Sequence, residues 1–578
     1  VAESKDNTKD KREKIFLKFI YKMVQVQVQV FGQYNNVTAT SSASSSAPTE
    51  NEAYLSAREI AYNEIINILQ IPQSQSPDLV ETTILNVDNN PPIYKNYLNG
   101  ISGVTVPKLS CINELVPFTS IDTIDFYIDP QDNTKLVCNN PGLWFINAQF
   151  KINCLSDCLY TQEGQINIWP IFNGVSQQGF DNGWSLAKVN CSAVIPSGYA
   201  AFFKAGDYIQ YGIQQNGIWF DKLIVVCSTT ERSSSGVTCP SVNLSGFKLL
   251  TNNTNDSGFQ NYSIISTTIN LPSIANQYQY ILFNSLNSYD FTININNNAE
   301  LICNNPGKWF IFSQIQVYGY NDTTIGTDNI VNTFISVNSN NIQNSAMVTS
   351  PMTKSSLNMI ANSYAYTFKQ NDILQFGIKS CSLNNTLNSG FFYYTPYTTV
   401  ADFPAINIAM KLPTFSNEKN STGFVGYSNI ISSPSFYLSK PNQNELVEVV
   451  NNEPNNIDFA IENTNIICNN PGKWLISAQY TIYSINITQD GNQSKIDGWL
   501  IFNGTSIQNS DASQTAINSQ EQSVFNISYI QEFKQNDILQ LGVRSSSLDG
   551  NLNVTILTWG DTQNINPAVS LTLIKIDE

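Results

Sequence analysis

The chain has 578 residues, no histidine, a formal net charge of −16, and only 13% charged residues against 11% aromatics. Without histidine there is no Ser-His-Asp or Cys-His site, and the commonest metal ligand is missing. The acidic balance, with no clustered Lys/Arg face, argues against direct nucleic-acid binding.

Residues 1–22 carry seven Lys/Arg against four Asp/Glu, and Lys18 breaks the apolar run from Ile15 to Tyr21, so no secretory signal is legible. Met23 follows, and residues 1–22 are read as preceding the true start. From there Val24, Val26, Val28 and Val30 alternate with glutamines, which predicts a strand over 24–31 with one apolar face. Its edges and that face need a partner: the sheet of a neighbouring subunit, another protein, or the chain's own first domain. Residues 38–48 are Ser, Thr and Ala closed by Pro48, the composition of a flexible spacer. Thr49 then caps a predicted helix over 49–70, whose Ile60, Ile65, Ile68 and Leu69 favour one side. Strand, spacer and helix, residues 1–89, are expected to form an arm that binds another protein of the same assembly. No apolar run reaches the roughly 18–20 residues that a membrane-spanning helix needs.

The rest of the chain repeats. The block Cys-Asn-Asn-Pro-Gly-x-Trp begins at Cys138, Cys303 and Cys468, and Phe-Lys-x-x-Asp begins at Phe203, Phe368 and Phe533, both at intervals of 165 residues. The period sets three copies at 90–254, 255–419 and 420–578, each long enough to bury its own core as an independent domain. Pro141-Gly142, Pro306-Gly307 and Pro471-Gly472 supply the central pair of a type II turn. A strand starts from each, with Trp144, Trp309 and Trp474 on its core face. Alternation then places Phe145, Asn147, Gln149 and Lys151 on the opposite face of a half-buried strand. Asn173-Gly174, Asn338-Ser339 and Asn503-Gly504 mark hairpins, and Asp207, Asp372 and Asp537 mark turns before a long strand. The third copy has only one cysteine, so Cys138, Cys303 and Cys468 share no common partner and read as buried free thiols. Cys154-x-x-x-Cys158 lacks the second close pair of a zinc site. Asp-rich loops such as Asp122, Asp125 and Asp129 are calcium candidates.

The order of these landmarks resembles the globular head of the complement and tumour-necrosis-factor type. The first copy carries the resemblance in Pro141-Gly142-Leu143-Trp144-Phe145, Asn173-Gly174, Lys204-Ala205-Gly206-Asp207 and Ser245-Gly246-Phe247. It implies an all-β chain of three tandem jelly-roll β-sandwich domains behind an N-terminal strand/helix arm, and packing of the three around a common axis as an intramolecular pseudo-trimer. An Asn-rich set of tandem jelly rolls with unpaired cysteines is similar to virion proteins of large (giant) DNA viruses. The expected function is therefore a non-enzymatic structural, minor capsid, vertex/cap or fibre-type protein, assembled in host cytoplasm into the virion and held by its arm to other capsid proteins, with no cofactor. The alternative is a secreted or surface-displayed carbohydrate- or receptor-binding protein.

Overall fold

A computed structural model describes residues 24–34, 37–47, 78–88 and most of 95–577. Left aside within the last range are 103–113, 155–164, 186–191, 217–223, 227–240, 250–259, 268–273, 320–329, 350–356, 382–388, 391–404, 415–423, 452–456, 486–493, 517–521, 561–564 and a few shorter gaps. The predicted helix, with Ile60, Ile65, Ile68 and Leu69, lies outside the described residues.

The described residues are all-β and fall into two compact units, 1–95 and 96–578. In the first, strand Val24–Tyr34 is the centre of a three-stranded antiparallel sheet, flanked by Val37–Ala47 and Asp78–Asp88. This corrects the reading of 38–48 as a flexible spacer: Ser, Thr and Ala pair residue for residue with the valine strand from Tyr34↔Val37 to Val24↔Ala47. A hairpin neighbour that immediately follows the strand supplies the pairing at little loop cost, and the β-branched Val37, Thr38 and Thr40 suit it. The strand carrying Val24, Val26, Val28 and Val30 thus has both backbone edges paired inside its own chain.

The second unit holds six larger sheets in three pairs, each pair drawn from one 165-residue copy. One sheet of the first copy orders its strands Ser192–Phe203, Gly142–Cys154, Val242–Lys248, Tyr97–Ser102, Ser120–Ile121. The facing sheet runs Val175–Ser176, Gln165–Phe172, Tyr208–Asn216, Leu136–Cys138, Phe126–Ile128. The other two copies repeat both orders, and every strand pair is antiparallel. Strands consecutive in sequence, such as Gly142–Cys154 and Gln165–Phe172, lie in different sheets, the jelly-roll-like manner of enclosing a core between two layers.

The strand from Gly142 is buried on both faces. Trp144, Ile146, Ala148 and Phe150 fill the sandwich, but Phe145, Asn147, Gln149 and Lys151 are also buried, which corrects the half-buried reading. The second face meets the other copies: Phe145, Phe247, Phe310, Phe312, Leu475, Ile530 and Ile574, from all three, belong to one continuous apolar cluster.

Candidate functional site: the Asn-Pro-Gly turns and the seams between copies

The Cys-Asn-Asn-Pro-Gly block is a buried junction built around its second asparagine. In the first copy the Asn139 and Asn140 amides donate to the Asp125 carbonyl at 2.7 and 3.1 Å, which folds the chain back on itself. Trp144 Nε1 donates to the Asn140 carbonyl at 2.8 Å, and Cys138 Sγ contacts that oxygen at 3.3 Å. The Asn140 side chain donates through Nδ2 to Asp125 Oδ1 and accepts through Oδ1 from Lys248 Nζ at 2.5 Å. Asp290, Asn305 and Lys411 repeat this chain in the second copy, and Asp458, Asn470 and Lys575 in the third. All three aspartates and all three asparagines are buried.

The glycine makes room for the lysine. Gly142, Gly307 and Gly472 have φ of 153°, 142° and 140°, well beyond a type II turn, and the strand starts on the glycine itself. A Cβ there meets the crossing lysine: Lys248 Cε at 2.3 Å, Lys411 Cε at 2.7 Å, Lys575 Cε at 2.6 Å. Trp144, Trp309 and Trp474 are fully buried, each edge-on to a phenylalanine, Phe126, Phe291 or Phe459. Cys138, Cys303 and Cys468 are buried free thiols, and burial pushes each up to about 12.

The repeated Asp turn braces the junction from outside. Cys138 N donates to the Asp207 carbonyl at 2.7 Å and Gly206 N to the Cys138 carbonyl at 2.8 Å. Asp207 accepts from Lys204 N at 2.7 Å and from Asn173 Nδ2 at 2.9 Å, and Asp372 and Asp537 do the same. Asn173, Asn338 and Asn503 hold positive φ at the hairpins. The calcium candidates do separate work: Asp122 accepts from Asn99 N at 2.9 Å, Asp125 belongs to the junction, and Asp129 accepts from Gln131 N at 2.9 Å. Among the described residues no three His, Cys, Asp or Glu gather around a metal-sized space. Cys154 ends its strand and Cys158 lies outside the described residues.

Contacts between copies use equivalent strands in a fixed order. Asn182–Ser185 lies against Leu357–Phe368 of the second copy, Met347–Thr349 against Gln522–Phe533 of the third, and Ala512–Ala516 against Ser192–Phe203 of the first. On the third-to-first seam, Asn99 Nδ2 donates to the Ile530 carbonyl at 2.9 Å and Asn99 Oδ1 accepts from Ile530 N at 3.1 Å. Asn429 makes the same pair with Ala365 on the second-to-third seam, at 2.9 and 3.3 Å. Each carboxamide thus presents itself to an edge strand as a peptide group would. Ile264 holds the equivalent place on the first-to-second seam, packed on the shared apolar cluster. There Phe145 meets Phe310 and Phe312 at 5.7 and 5.4 Å between ring centres, and Gly198 lies under the Phe312 ring.

Among the described residues no helix is long and apolar enough to cross a membrane. No protein-family model matches the chain, and no curated protein matches it. Among solved structures, one similar to part of this chain is the crystal structure of murine APRIL, at 9% identity and a TM-score of 0.16, covering 26% of this chain and 97% of that one.

Proposed function

We propose that the chain is a single-chain pseudo-trimer of three tandem jelly-roll modules, at 90–254, 255–419 and 420–578, and that it is a non-enzymatic structural protein of a virus particle. The observation that carries the pseudo-trimer is the cyclic order of the contacts, first to second, second to third and third to first, each through equivalent strands. Heterologous contacts that return to their start close a ring, and covalent linkage of the copies holds each at high effective concentration for the next.

Assembly in the cytosol, rather than secretion, is favoured by two features. The recurring thiols are buried and unpaired. Three sequon asparagines, Asn243, Asn526 and Asn553, are buried at 8%, 4% and 7% exposure, and Asn243 donates to the Ser528 carbonyl across the third-to-first seam. Asn526 donates to the Ala361 carbonyl across the second-to-third seam, and a glycan on Asn243 or Asn526 has no space in those seams. A non-catalytic reading suits a chain without histidine whose recurring Asp207, Asp372 and Asp537 are occupied in forming turns.

Residues 1–89 are proposed as the attachment to other capsid proteins. Their three-stranded sheet belongs to a compact unit of its own, which suits a separate binding element. Mass spectrometry of purified particles tests the virion assignment. Deleting residues 1–85 tests the attachment: a folded body that no longer incorporates is expected, and a truncated protein that incorporates normally sinks the arm's role.

A further inference from the structure

The Asp-Asn-Lys chains have the composition of a reaction as well as of a hydrogen-bond network. Each asparagine carboxamide lies between a lysine amine resting on Oδ1, one bond from Cγ, and a fully buried aspartate that holds Nδ2. The lysine does not reach its position by chance: a glycine at φ of 140–153° opens the path for its side chain in every copy, and the backbone register sets Lys248, Lys411 and Lys575 opposite Trp144, Trp309 and Trp474. The carboxamide is equally fixed, since the tryptophan indole and the aspartate carbonyl hold the asparagine's own backbone.

We propose that each copy closes an intramolecular isopeptide bond, joining Lys248 to Asn140, Lys411 to Asn305 and Lys575 to Asn470. The neutral amine attacks Cγ, forming the Nζ–Cγ bond. The aspartic acid gives its proton to Nδ2, the Cγ–Nδ2 bond breaks, ammonia leaves, and the carboxylate takes the proton that Nζ sheds. Amine and carboxamide become a secondary amide and ammonia, with no oxidant or other co-reactant.

Burial acts in the direction the reaction needs. In the first two copies it pulls the Lys248 and Lys411 amines below their ordinary value, toward the nucleophilic form, and in the third it pushes the Asp458 carboxyl up, toward the acid. Fixed approach of the two reactants replaces a bimolecular encounter, the term that makes so poor an electrophile as a carboxamide accessible. The partners stand 108, 106 and 105 residues apart, so each bond ties the last strand of a copy to the start of its central strand and closes most of that copy into a loop.

Intact-mass measurement and proteolytic mapping of the full-length protein test this. The expected mass is lower than the sequence mass by one ammonia per copy, with branched peptides joining the Lys248 and Asn140 segments and their counterparts. K248R keeps the charge and the donor but cannot form the link, and restores one ammonia. D458N keeps Lys575 and Asn470 in place, and its third copy should stay unlinked while the other two react. The proposal is overturned by the full sequence mass with linear peptides for all three pairs. A deficit without branched peptides, as succinimide formation at Asn173-Gly174 produces, overturns it equally.

Discussion

The second-to-third and first-to-second seams bury equivalent strands, yet the chemistry at one position differs. At the former Asn429 grips both polar groups of Ala365; at the latter Ile264 joins an aromatic cluster of Phe145, Phe310 and Phe312. The third-to-first seam sides with the polar solution through Asn99 and Ile530. Architecture fixes which strands meet, and local substitution then decides whether directional bonds or ring packing holds them. The polar solution defines register, because a carboxamide satisfies one peptide group and leaves its neighbours unmatched. The aromatic solution gains more from area than from direction.

The largest effect should follow damage to the aromatic seam. Phe312→Ala removes a buried ring that packs on Phe145 and covers Gly198, and large-to-small changes of this kind cost about 3–5 kcal/mol. Denaturant unfolding of the full chain measures it. A loss near zero would show that this seam is not closed through Phe312.

Breaking the carboxamide clamps should cost less. Asn99→Ala and Asn429→Ala each remove two hydrogen bonds at a buried edge, a loss of roughly 1–3 kcal/mol per variant at about 0.5–1.5 kcal/mol per bond. Ile264→Asn sharpens the comparison further. It gives up apolar contact and offers Ala200, the residue one period before Ala365, the pair that Ala365 and Ile530 already enjoy, so a change within about 1 kcal/mol is expected. If Ile264→Asn proves as harmful as Asn99→Ala, the seams are not interchangeable and their equivalence is only geometric.

How far the sequence discloses this depends on whether a residue keeps the period. The Cys138, Pro141, Gly142 and Trp144 set and the Asp207 turn recur at 165 residues and are legible at once. Their purpose is not, because Lys248, Lys411 and Lys575 recur at 163 and 164, and Asp125, Asp290 and Asp458 at 165 and 168. Small loop changes between the copies carry these partners off register. Alternation assigns Phe145, Asn147, Gln149 and Lys151 to an outer face, which is right about direction and wrong about solvent. What covers them belongs to other copies of the chain, and no local pattern records that. The Ser-rich 38–48 failed for a related reason: composition describes the isolated segment, whereas pairing with Val24–Tyr34 decides its state.

The smallest predicted effect separates the two polar seams by pH. Tyr97 is raised to about 12 by burial first, then by Asp122 and by Glu532 and Tyr529 across the third-to-first seam. In the unfolded chain its phenol ionises near the ordinary tyrosine value of about 10. Between these limits the folded state binds more protons than the unfolded one, so stability contributed by Tyr97 is complete below about pH 10 and is lost as pH rises toward about 12. Tyr97→Phe removes that titration while keeping the ring over which Lys473 Nζ sits at 5.4 Å. Urea midpoints of the full chain should therefore fall less steeply across this window in the variant than in the parent, with the two alike at neutral pH apart from a constant offset. Parallel curves from pH 8 to 12 would mean that Tyr97 does not retain its proton in the fold, and that the negative charges of Asp122 and Glu532 do not converge on that side of the seam.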